Sequence, residues 1–376
     1  VTQLIVLVDA LGWLTAERLG FMAERLPHRR RLGTVFGYSS TAIPSLITGA
    51  WPEEHGHWFL YRRAGESRPF SEGRWIARLP GRPGERWRVR CRLQEYWKNK
   101  AGIHGYFSLY SIPLDVLAEL EPVERADTWA AGAFPRTPSL IDHLVAGGWR
   151  HHVSDWRVSD AEKLARARAA VEREAPEVLV LYLTEIDSVQ HRVGTRHVEL
   201  DQAVRGLEQS LGTFVRMLEA RGPVAVTLFS DHGMTDVSGH RDLIGELAAE
   251  GLKRGRDYRG FFDSTVARFW NVRDPGRLLA ALRGRSWGRV LDEATMAAWR
   301  VRFPGREYGD LFFVADPGEL ILPSDMGRAP LAAMHGYDPA DPTSDACLLS
   351  DREIPLADDH ITAVLPALQR RIAEGV

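Results

Sequence analysis

Three short stretches of the chain, residues 4–8, 178–183 and 224–229, are almost wholly apolar and rich in Val, Leu and Ile, and each runs into a polar or acidic cluster. Apolar runs of that length read as strands buried on both faces of a parallel sheet. Between them the pattern changes to a helical period at residues 161–174 and 198–219. In the second of these Leu200, Val204, Leu207, Leu211, Phe214, Val215 and Leu218 recur at a spacing near 3.6. Strands alternating with helices predict an α/β fold, a doubly wound and mostly parallel sheet with helices on both faces. Ligands of such sheets sit beyond the carboxyl ends of the strands. Asp9, Asp187 and Asp231 each follow one of the three runs.

Two stretches break the alternation. Residues 60–134 are rich in Arg, Trp, Gly and Pro, most densely at 74–92, and read as an inserted cap. Residues 251–330 read as a second insertion that partly joins the core, with strand-like pieces at 311–314 and 320–322. Residues 1–59, 135–250 and 331–376 are left as the α/β core, a division suited to a chain of 376 residues.

Composition narrows the chemistry. With 44% hydrophobic and 26% charged residues the chain can bury a large core. A net charge of -2 supplies no global attraction to nucleic acid or to a membrane surface, so partners must be recognised locally. No apolar stretch reaches the roughly 18 residues of a membrane span. Cys91 and Cys347 are too few for a disulfide framework or a zinc–thiolate cluster. Low cysteine usage and the lack of a secretion-signal pattern favour the cytoplasm, and any metal has to be held by His and carboxylates.

Five segments carry such groups. LIVLVDALGW places Asp9 immediately after a strand. In GYSSTAIPSLITGAWPEEHG, Ser39, Ser40 and Thr41 open an apolar, helix-like segment in which Pro44 fits only the first turn. A hydroxyl at a helix start faces N–H groups suited to a phosphoryl group, which makes it a candidate nucleophile. LYLTEIDSVQHRVG spaces Asp187 and His191 four apart, one face of a helical turn. VTLFSDHGMTD delivers Asp231 and His232 together before Gly233, which permits a tight turn. MHGYD places His335 in a polar loop. Singly, each has an ordinary explanation as a cap, a turn or a surface pair. Together they supply three Asp, three His and a hydroxyl, enough for two metal sites.

In this order the segments resemble the alkaline phosphatase superfamily, closest to its type I phosphodiesterase and nucleotide pyrophosphatase branch. SDHGM at 230–234, the Asp187-to-His191 pair, HGYD at 335–338 and EYGDLFFVADPG at 307–318 carry the likeness. The resemblance places the nucleophile ten residues before the Gly of a Thr-Gly pair. Gly49 points to Ser39, with Ser40 as the fallback. It implies two divalent ions, Zn²⁺ or Mn²⁺: one on Asp187, His191 and His335, the other on Asp9, Asp231, His232 and Ser39. It further implies hydrolysis of a small-molecule phosphoester through a phosphoseryl intermediate. The phosphodiesterases commonly carry Thr-Phe-Pro at the nucleophile, where this chain has Ser39-Ser40-Thr41, so a phosphomonoesterase or a phospho-group transferase is the competing expectation. The Pro-Ser-Arg of the sulfatases is absent. For substrate contact the insertions offer Arg268, Arg62 and Arg63 toward further anionic groups, and Trp58, Phe59 and Tyr61 for stacking.

Overall fold

A computed structural model describes residues 1–81 and 83–375. The three apolar runs form the middle of a six-stranded sheet, ordered His28–Leu32, Ala346–Ser350, Val224–Phe229, Thr2–Val8, Val178–Leu183, His151–Val153. Thr2–Val8 pairs in parallel with both Val178–Leu183 and Val224–Phe229. Ala346–Ser350 runs antiparallel between Val224–Phe229 and the edge strand His28–Leu32. Ligand placement follows from register. Val8 lies opposite Leu183 and Leu7 opposite Phe229, so all three central strands end at one edge, and Asp9, Asp187 and Asp231 emerge there.

Alternation along Thr2–Val8 fills two cores. Ile5 and Leu7 face one layer, with Leu46 and Ile47 of the helix Ser39–Thr48 and Leu365 and Leu368 of the helix Val364–Glu374. Leu4, Val6 and Val8 face the other, with Leu164 and Val171 of Asp160–Glu174 and Leu211 and Phe214 of Val198–Glu219. This is the helix–sheet–helix arrangement expected from the alternating pattern.

The two irregular stretches carry regular structure of their own. Arg259–Phe262, Val266–Trp270, Leu311–Ala315 and Gly288–Val290 form a four-stranded antiparallel sheet. Its core takes in Phe36, Tyr38, Trp58 and Phe59, so the segment leading into the Ser39 helix is clamped between the two sheets. Residues 60–134 hold a 14-residue helix, Trp87–Lys100, and an antiparallel pair, Tyr61–Arg63 with Leu120–Pro122. That helix buries only Trp97 fully, with Val89 and Leu93 half-buried on the same face, an apolar stripe interrupted by basic residues. Among the described residues no helix is long and apolar enough to cross a membrane.

Candidate active site

Ser39 opens a ten-residue helix after Tyr38, whose backbone is extended. The first turn of any helix leaves N–H groups without intrahelical partners; here those of Thr41 and Ala42 bond the Tyr38 carbonyl at 2.7 and 2.9 Å, and Ser39 and Ser40 before them line the cavity. Pro44 is the sixth residue of the helix and not in its first turn, against expectation. Its ring removes the ladder bond to the Ser40 carbonyl, and one turn on the Thr48 hydroxyl donates to the Pro44 carbonyl at 2.6 Å.

The Ser39 Oγ lies 3.0 Å from His232 Nε2. His232 Nδ1 sits 2.9 Å from the Gly233 carbonyl, which can only accept, so Nδ1 carries the proton and Nε2 is left as a free lone pair. Gly233 is required there: a Cβ would lie 2.1 Å from the Thr343 carbonyl oxygen. Asp231 Oδ2 is 3.2 Å and Asp9 Oδ1 3.8 Å from the same His232 Nε2. Four residues, from three parts of the chain, thus converge on one point.

A second cluster forms beside it. Helix Glu185–Val193 carries Asp187 and His191 on one face, with Asp187 Oδ1 3.2 Å from His191 Nε2 and 3.7 Å from His335 Nε2. His191 Nδ1 donates to the Ala333 carbonyl at 2.9 Å, which turns Nε2 inward. The rings of His232 and His335 stack at 3.9 Å, so the two clusters adjoin. Within Asp187, His191 and His335, and within Asp9, Asp231 and His232, the ligand atoms lie within 4.8 Å of one another.

The electrostatics suit cations. Burial, then the charges of Asp231 and Asp187, push the Asp9 carboxyl well above the usual range, and burial raises Asp231 as well. Burial followed by the neighbouring His232 and His191 holds His335 well below the ordinary imidazole value, leaving it neutral and able to ligate. Burial pulls His191 down, but the charge and hydrogen bond of Asp187 and the Ala333 carbonyl outweigh it, and the net shift is upward. Asp9 Oδ1, Asp187 Oδ1, Asp231 Oδ2 and His335 Nδ1 are buried without hydrogen-bond partners. Buried polar atoms are otherwise nearly always paired. Three inward carboxylates, each with one buried oxygen that lacks a donor, alternating with imidazoles whose lone pairs face them, fit two divalent ions.

Comparison with known proteins agrees with this geometry. Residues 4–338 match the family model described as type I phosphodiesterase / nucleotide pyrophosphatase. The chain belongs to that family. Membership makes it an enzyme that hydrolyses phosphoric esters. No curated protein sequence matches the chain. Among solved structures, the murine ectonucleotide pyrophosphatase/phosphodiesterase 5 superposes with a TM-score of 0.70 at 16% identity, covering 99% of this chain and 95% of that one. The human protein of the same name gives 0.69 at 15% identity, with the same coverage. Phosphonoacetate hydrolase from Sinorhizobium meliloti 1021, in complex with phosphonoformate, gives 0.65 at 14%, covering 100% of this chain and 96% of that chain. At these identities the likenesses speak for the fold.

In this type I phosphodiesterase family member the site opens into a cavity of about 740 Å³. Ser40 lines it, and its buried Oγ has no hydrogen-bond partner among the described residues. Arg268 is not brought there. Its guanidinium is 1% exposed, binds Asp263 at 2.8 Å and the Tyr61 carbonyl at 2.8 Å, and packs over Phe59 and Phe261. The expectation that Arg268 meets anionic charge of the substrate is thus not met, because Asp263 supplies a buried partner that keeps it inside. Trp58, Phe59 and Tyr61 are buried core residues, and Arg62 is tied to Glu121 at 2.8 Å.

The walls come instead from Tyr106, Tyr110, Glu124, Trp129, Trp156 and Arg157, none of which the sequence patterns marked. Glu124 is buried, and burial pushes its carboxyl up to about 7. The folded protein therefore holds a proton that the unfolded chain has released, and stability is lost as pH rises toward 7, by about 3 kcal/mol in all. Glu124→Gln removes this slope. The variant is expected to be the more stable protein at pH 8, with the gap closing toward pH 5, in urea denaturation at the two pH values. Parallel profiles for variant and parent would place the proton elsewhere.

Proposed function

We propose that the chain is a phosphodiesterase acting through two divalent ions, Zn²⁺ or Mn²⁺, with Ser39 as nucleophile and nucleotide-type phosphodiesters among its substrates. The observation that carries this reading is the position of Ser39 Oγ at a helix start, 3.0 Å from Nε2 of His232, whose ring stacks on His335 of the neighbouring cluster. Asp187, His191 and His335 would hold one ion, and Asp9, Asp231, His232 and Ser39 the other. Such ions supply Lewis acidity toward phosphoryl oxygens and lower the pKa of an oxygen nucleophile.

The protein's own part follows from its geometry. His232 aims the Ser39 hydroxyl at the cavity. Ser39 gives its proton to solvent, Oγ bonds to phosphorus, and the bond to the leaving alkoxide breaks, the alkoxide taking up a proton from solvent. Water then attacks the phosphoseryl ester, the serine–phosphorus bond breaks, and Ser39 recovers its proton. N–H groups at the start of the Ser39 helix receive the charge that builds on the non-bridging oxygens.

Diester preference is supported by the cavity. Half of its lining residues are aromatic or aliphatic, including Leu60 and Met326, and they offer room for a second ester substituent. Among the described residues Arg157 is the only Arg or Lys in the lining, and Asp127 at 2.8 Å and Asp155 at 3.2 Å already neutralise it. A monoester dianion would find little extra positive charge there. Bis-p-nitrophenyl phosphate is accordingly expected to have a kcat/KM at least about tenfold above that of p-nitrophenyl phosphate, a difference of roughly 1.4 kcal/mol in the barrier. The reverse order would make the protein a monoesterase.

A further inference from the structure

Lys163 and Asp160 form a fully buried ion pair, 2.8 Å apart, with side-chain exposures of 0% and 6%. They lie behind the site rather than in it, and neither lines the cavity. Burying an ammonium and a carboxylate carries a desolvation penalty that apolar packing in the same space would avoid. Stability alone gives little reason for the pair to be there.

Its contacts supply one. Thr184, at the N-terminus of the helix Glu185–Val193, makes no side-chain capping bond of its own. The cap comes from a different helix: Asp160 accepts from the Thr184 N–H at 3.0 Å through both oxygens and from the Glu185 N–H at 3.0 Å. Glu185 returns a bond, its carboxylate accepting from the Asp160 N–H at 3.1 Å. A carboxylate on two terminal N–H groups fixes both the start and the roll of the helix, and this helix carries Asp187 and His191. The Lys163 ammonium reaches the Thr184 hydroxyl at 3.2 Å and lies 5.6 Å from the centre of the Tyr182 ring. The Tyr182 hydroxyl donates to Asp9 Oδ2 at 2.5 Å, leaving Oδ1 to face His232. One ion pair therefore touches the supports of both clusters.

We propose that Lys163 and Asp160, acting through Thr184 and Tyr182, are positioning residues that hold Asp187 and His191 on one side and Asp9 on the other in the geometry that receives two divalent ions. This rests on the two-ion reading above. Asp160 sets the helix, Lys163 holds the Asp160 carboxylate in place at 2.8 Å, and Tyr182 selects which oxygen of Asp9 points inward. Partners of this kind commonly change metal affinity by about 10–100-fold when removed.

The test is the double variant Lys163→Met/Asp160→Asn, which removes both charges at nearly constant volume and strands neither. Zn²⁺ affinity is measured by competition with a chromophoric chelator, and thermal melting is measured on chelator-stripped protein. The expected result is Zn²⁺ affinity lowered by about 10–100-fold, with the stripped variant melting close to the stripped parent. Affinity within twofold of the parent overturns the proposal, whatever the melting point, because the pair would then be scaffolding only. Should the double variant fail to fold, Tyr182→Phe isolates one arm: Zn²⁺ affinity is expected to fall at one of the two sites and hold at the other. No change at either site also overturns it. A parent protein that takes up no Zn²⁺ or Mn²⁺ defeats the two-ion reading itself, and this inference with it.

Discussion

Ser39→Ala is expected to lower kcat toward phosphodiesters by about 10⁴-fold or more, with folding and metal content unchanged. The size follows from the role. Without Oγ the covalent route is closed, and only binding and charge stabilisation remain, as when the nucleophile of another covalent hydrolase is removed. The structural effect is small because Ser39 is half-buried at a helix start, and alanine is helix-compatible. Six other ligands stay in place, so elemental analysis should find the same metal content. Activity within tenfold of the parent would move the nucleophile to another group. Ser40, whose unpartnered Oγ lines the same cavity, is the first to examine by the same substitution.

Removal of metal has the second large effect. Dialysis against a strong chelator is expected to abolish turnover and lower the melting temperature, and Zn²⁺ or Mn²⁺ should restore both. The stability change has a definite source. Asp9 and Asp231 are buried carboxylates in one cluster, adjoining the partly buried Asp187, and desolvation and mutual repulsion raise the first two. Cations relieve that repulsion in the folded state, and each site at a free ion concentration a hundredfold above its Kd adds about 2.7 kcal/mol. Full turnover with no detectable bound metal would refute the two-ion mechanism even if Ser39→Ala were inactive. The two experiments thus separate the nucleophile from its electrostatic setting.

Much of this site is legible in the sequence because its logic is local. Asp187 and His191 are four apart, and a helix after a strand brings them to one face. Asp9 and Asp231 follow apolar runs whose aligned register sends them to a common edge. What escapes is whatever depends on a distant partner. The edge strand His28–Leu32 is nearly all charged, and its pairing with Ala346–Ser350 is set by residues more than 300 positions away. Arg268 reads as a surface charge until Asp263 is seen beside it. Tyr182 stands out as the one polar group in the run Val178–Leu183, a signal in plain view, yet only the folded chain shows that it serves Asp9. The helix Trp87–Lys100 is hidden for a different reason: its narrow apolar stripe of Val89, Leu93 and Trp97 is interleaved with five Arg and Lys residues and only Trp97 is fully buried.

The division of labour around the cavity has a further implication. The reacting centre is built from the rim of the parallel sheet and its adjoining helices, whereas Tyr106, Tyr110 and Glu124 on its walls belong to the stretch between the two short paired strands and just beyond. Substitution or insertion in that stretch can redirect the catalyst toward a different alcohol without disturbing its chemistry. In a lineage built on this plan, choice of substrate is free to drift while the reaction is inherited intact.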